Sequence, residues 1–156
     1  MRDLLAVPPQ SVARPAAAWR LRLAGWSIAL VVALIHSWVH RHGLVNLDAV
    51  SYLDIARDYA RGDWPAALNG YWSPLYSWCL AVALAIVRPS PAFEYPMLHA
   101  VNFVLFVVGL AALDWLVGEL RRRAGEDAGR AGLSPSGWQL AAMALFLWVA
   151  IELVVV

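Results

Sequence analysis

Apolar residues gather in four stretches along the chain, at 23–39, 75–87, 97–117 and 138–156, separated by polar and proline-rich segments. A helix needs about 20 apolar residues to cross roughly 30 Å of hydrocarbon. The first, third and fourth stretches approach or reach that length and predict spanning helices. The second is shorter, and its length suits a re-entrant or interfacial helix as well as a crossing. Tyr71, Trp72 and Tyr76 form an aromatic belt around Ser73-Pro74, where proline suits a first helical turn, and this favours a short, tilted span. Three prolines between positions 88 and 96 predict a tight connector before the third stretch.

The loop at 40–74 has a different rhythm. Ala49, Tyr52, Leu53, Ala56, Tyr59 and Ala60 recur at three- and four-residue spacing, which predicts an amphipathic helix over 48–64 closed by Gly62-Asp63. Asp54, Arg57, Asp58 and Arg61 collect on the opposite face as i,i+3 pairs, the pattern of a solvated surface. A helix of this kind directly after a span lies in the plane of the interface. The expected fold class is all-α: a polytopic transmembrane helix bundle with an external loop containing an amphipathic juxtamembrane helix.

Composition agrees with this picture. The chain is 62% hydrophobic and 15% charged with nine Trp, far from the soluble average. A net charge of +1 with scattered arginines argues against nucleic acid as a partner. Cys79 has no second thiol to pair with and reads as packing. Residues 1–22 form a cytoplasmic tail by their Arg14, Arg20 and Arg22, disordered over 1–18 where prolines replace any apolar period, and 23–156 form the membrane domain. No small-residue cleavage site follows 23–39, so that stretch reads as an uncleaved anchor. Four crossings would put 119–137, with Arg121, Arg122, Arg123 and Arg130, outside the cytoplasm against the positive-inside preference. The conflict vanishes if 75–87 does not cross. The fourth stretch is still apolar at Val156, the pattern expected of a truncated helix.

Candidate chemistry centres on Asp48, at the start of the amphipathic helix and shortly after the first span. Its carboxylate suits an N-cap accepting from the amide of Val50 or Ser51. It equally suits a general base or metal ligand, since an acceptor hydroxyl is a poor nucleophile until a carboxylate takes or orients its proton. His40 and His42, with Asp48, offer nitrogen and oxygen ligands to zinc, or simply a polar belt. His99 and Asn102 share a helix face, and Asp114 and Glu152 lie within apolar stretches. Such groups mark function or bond between helices, and none is assigned to the site.

The run Asp48-Ala49-Val50-Ser51-Tyr52-Leu53-Asp54-Ile55-Ala56-Arg57 after a first span, followed by Gly62-Asp63-Trp64 and Trp72-Ser73-Pro74-Leu75-Tyr76, resembles the N-terminus of GT-C superfamily membrane glycosyltransferases. The branch it is most similar to holds the bacterial relatives of protein mannosyltransferases and of the lipid A aminoarabinose transferase. The resemblance covers residues 20–76. It implies that Asp48 is the catalytic acid or base, that Tyr52 is the aromatic of the juxtamembrane helix, and that Ser73-Pro74-Leu75 is the re-entry element. Ala49 stands where the family commonly has a second acidic residue. One carboxylate is a poor cage for a hard divalent ion, so no metal ligand is assigned, although a divalent metal ion stays open as a cofactor.

The implied reaction is transfer of a sugar from a polyprenyl-phosphate donor to an unidentified acceptor outside the cytoplasm of a bacterial inner membrane. Arg57 or Arg61, or else Arg41, is expected to meet the donor phosphate, the alternative for each being a plain surface or lipid-headgroup contact. Membrane lipids are the other expected partners. As an N-terminal fragment lacking later helices, the chain is expected to be inactive alone. The competing class is a non-catalytic polytopic membrane protein, a transporter fragment or an assembly subunit whose amphipathic helix docks a partner.

Overall fold

The computed structural model describes residues 15–43, 47–123 and 141–148. Residues 1–14, the greater part of 119–137, and Glu152 lie outside the described residues, and with them the expectations made there. Helix α1 spans Pro15–Val39, α2 Asp48–Arg61, α3 Trp64–Ala67, α4 Pro74–Val87 and α5 Glu94–Arg123. A 3-10 turn at Pro91–Phe93 leads into α5, and 141–148 is helical. Among the described residues there is no strand, so the all-α expectation holds.

Several boundaries differ from the sequence reading. Helix α1 starts at Pro15 and not after a disordered Ala18, because proline suits a first turn and three alanines follow it. Helix α5 begins at Glu94 and takes in Pro96, whose missing N–H is no loss within the first turn. Gly62 closes α2 at φ 79°, its amide donating back to the carbonyl of Tyr59 at 3.0 Å. Helix α4 starts at Ser73-Pro74, as the sequence predicts, with Pro74 in its first turn and no capping bond from the Ser73 side chain.

Helices α1 and α5 pack antiparallel. Arg22 near the start of α1 meets Asp114 near the end of α5, Ala29 packs with Leu110 further along, and Gly43 just beyond α1 meets His99. Met143 completes the Ala29–Leu110 core, with Trp26, Phe106 and Phe146 around it. Gly109 lies against this core: a Cβ there would stand 3.0 Å from the tip of the Phe146 ring, which would have to give by a few tenths of an ångström. A second core joins α2, α4 and the start of α5 through Ala56, Leu80, Ala81 and Leu98.

Among the described residues two helices are long and apolar enough to cross a bilayer, Trp19–Val39 and Pro91–Leu120, and few residues of either are fully buried. Helix α4 is not one of them. Its 14 residues rise about 21 Å against the roughly 30 Å of a hydrocarbon core, and its Ser77, Leu80 and Ala81 are buried, the last two in the core shared with α2. Helix α4 shares one layer with α2. The expected fourth span is described only over 141–148. With α1 and α5 antiparallel, Arg20 and Arg22 lie at the same end as Arg122 and Arg123, the arrangement that the distribution of basic residues asks for.

Candidate functional site

Helix α2 carries Asp48, Tyr52, Arg57 and Arg61, and Arg41 stands before it, just past the end of α1. The N-cap of α2 is Leu47, an apolar residue whose carbonyl accepts from the Val50 amide at 3.1 Å. Asp48 is thus the first helical residue and not the cap. It is exposed, and its charge sits at the positive end of the helix dipole, an arrangement worth about 0.3–1 kcal/mol.

One turn on, Tyr52 is half-buried. Its ring meets the edges of Trp72 and Tyr76, each with centroids 5.0 Å away. The Tyr76 hydroxyl donates to Asn102 Oδ1 at 2.6 Å, and the Ser77 hydroxyl donates to the Tyr52 carbonyl at 3.4 Å. Trp72 is held by Asn69, whose Oδ1 accepts from the amides of Tyr71 and Trp72 at 3.1 and 2.7 Å. An aromatic wall therefore stands beside the N-terminal end of α2. Asn69-Gly70 is a recognisable turn dipeptide in the sequence, but nothing in the sequence says that it sets the position of Trp72.

The other two candidate binding residues are elsewhere. The ends of the 14-residue α2 are about 20 Å apart, so Arg61 and Asp48 cannot share one small ligand. Arg57 is not simply part of a solvated face. Its guanidinium donates to Asp54 at 2.5 Å and to Glu94 at the start of α5, tying α2 to α5. The hydrogen bond to Glu94, followed by the Glu94 charge and the bond to Asp54, raises its already high pKa against the opposing effect of burial. Arg61 faces Asp58 at 3.9 Å and is exposed. Arg41 stacks on Trp38, 4.1 Å from the ring centroid, and donates to the Trp38 carbonyl at 2.6 Å.

The polar groups of the apolar stretches bond between elements. His99 is buried with its Nε2 3.2 Å from the Gly43 carbonyl, and Asn102 receives Tyr76. Asp114 is 4% exposed and accepts from Arg22 Nε at 2.8 Å and from the Trp26 indole at 3.2 Å. His40 tilts against His36, with centroids 4.5 Å apart, while His42 is exposed. Among the described residues no three His, Cys, Asp or Glu side chains gather closely enough to hold a metal ion. No protein-family model, curated protein or solved structure matches this chain.

Proposed function

We propose that the chain forms the N-terminal part of a membrane-embedded GT-C glycosyltransferase, moving a sugar from a polyprenyl-phosphate donor to an acceptor outside the cytoplasm. The observation that carries this reading is the exposed Asp48 carboxylate in the first turn of an amphipathic helix that closely follows a helix fit to cross a bilayer, with an aromatic wall one turn away. A donor anchored by its lipid has its sugar-phosphate bond at headgroup depth. A carboxylate on an interfacial helix is offered at that same depth.

In this reading Asp48 takes or orients the proton of the acceptor hydroxyl. The acceptor oxygen forms a bond to the anomeric carbon while the bond from that carbon to the phosphate oxygen breaks, and the polyprenyl phosphate leaves with the electron pair. Tyr52 and Trp72 offer ring faces and edges beside the sugar. Donor contact by Arg57 comes from a guanidinium already committed to two carboxylates, and Arg61 reaches only a remote part of the ligand.

The test is Asp48→Asn in the full-length protein. Asn retains the size and the local hydrogen bonding but not the basicity, so membrane insertion stays unchanged while sugar transfer falls by about 100-fold or more. Transfer at the unmodified rate by Asp48→Asn overturns the reading and leaves α2 as a docking or packing element. The isolated 156-residue chain is expected to transfer little sugar in the same assay.

A further inference from the structure

The C-terminal half of α2 and the end of α4 form an open, shallow cleft of about 310 Å³ lined by Arg57, Ala60, Arg61, Leu84, Ala85 and Arg88. Three of six lining residues are arginines, on two different helices. Packing α2 on α4 brings all three to one cleft, where Asp54 and Glu94 already answer Arg57 and Asp58 stands near Arg61, so Arg61 and Arg88 are the cations with charge to offer an anion. The groups are not equivalent. Arg57 is pinned at one side by Asp54 and Glu94, whereas Arg61 is exposed and only 3.9 Å from Asp58. Among the described residues Arg88 forms no ion pair, and its Nε donates to the Ala85 carbonyl at 3.4 Å.

Arg88 is also the only described residue other than glycine at positive φ, 48°, as the C-cap of α4. Glycine takes that conformation without penalty and is the usual residue there. A long cation at this corner puts a guanidinium over the cleft. Beside it, Ile86 and Val87 are exposed apolar residues, 76% and 59% open.

We propose that this cleft binds the phosphate of an anionic phospholipid head group, with Arg61 and Arg88 as the principal contacts and the acyl chains passing over Ile86 and Val87. Arginine matches phosphate oxygens in a fork geometry, and basic pockets among membrane helices are suited to head groups. The cleft volume lies at the lower end of the range for ligand sites, enough for a phosphate with its glycerol. The site is separate from Asp48, at the opposite end of α2, and does not rest on the sugar-transfer reading.

Native mass spectrometry of the full chain in mild detergent tests it, titrating phosphatidylglycerol against phosphatidylcholine, with inorganic phosphate as competitor. The expected result is that phosphatidylglycerol binds about tenfold more tightly than phosphatidylcholine, that Arg88→Gly and Arg61→Gln each remove most of that preference, and that millimolar phosphate does not displace the lipid. Arg88→Gly is the sharper variant, because it relaxes the left-handed corner and keeps the fold while deleting the cation. Equal binding of the two lipids, or undiminished preference in both variants, overturns the proposal. Displacement by inorganic phosphate reassigns the cleft to a soluble phosphate and overturns the lipid assignment. Asp48→Asn leaves the lipid preference intact, so this result and the fate of the transferase reading are read separately.

Discussion

Arg22 and Asp114 show what a single residue means once its neighbour is known. In the sequence, Arg22 is one of several basic residues before a span and Asp114 an isolated acid in an apolar stretch. In the fold, the Asp114 carboxylate is buried and Arg22 and Trp26 both donate to it. Removing a cation from a buried carboxylate is more damaging than removing the charge of the acid, because the carboxylate keeps its desolvation penalty. Arg22→Ala is therefore expected to lower unfolding stability in detergent by about 2 kcal/mol. Asp114→Asn, whose amide oxygen still accepts both bonds, is expected to cost about 1 kcal/mol or less, and the order of the two is the measurement that matters.

Helix α2 illustrates the next scale, because both of its faces do something other than its pattern alone implies. The apolar stripe over Ala49, Tyr52, Leu53, Ala56, Tyr59 and Ala60 is legible in the sequence, and all of those residues but the exposed Ala60 are at least half-buried in the fold. What it packs against is not legible there. Ala56 is fully buried against α4, where Ser77 is buried as well, and these small side chains let the two helices approach closely. Ala56→Leu is expected to push α2 away from α4 at about 1–3 kcal/mol, seen as a lowered unfolding midpoint. Tyr76→Phe removes the bond to Asn102 while keeping the ring, and should cost about 1 kcal/mol in the same measurement. The charged face, read as solvated, reaches through Arg57 to Glu94 on α5, a partner 37 residues away.

At the scale of the molecule, the consequence of the fold is topological. Antiparallel α1 and α5 with a short α4 between them place both ends of the pair, with their arginines, on one side. In a Cys79→Ser background, Arg20→Cys and Arg123→Cys are expected to react with an impermeant thiol reagent from the same side of the membrane. Asp63→Cys, in the exposed link after α2, is expected to react from the opposite side. Labelling of positions 20 and 123 from opposite sides would contradict the antiparallel pairing of α1 and α5.

The sequence by itself determined the all-α class, the two long apolar helices, the amphipathic α2 with its glycine stop and the proline start of α4. Each of these follows from periodicity, length and local backbone preference, which act over a few residues. Only the tertiary structure decided that α4 packs on α2, that Tyr52 belongs to an aromatic wall with Trp72 and Tyr76, and that Arg57 and Arg61 stand with Arg88 at the far end of α2 from Asp48. Those outcomes depend on which surfaces meet across long stretches of chain, and a pattern that repeats every three or four residues carries no record of the partner it will face.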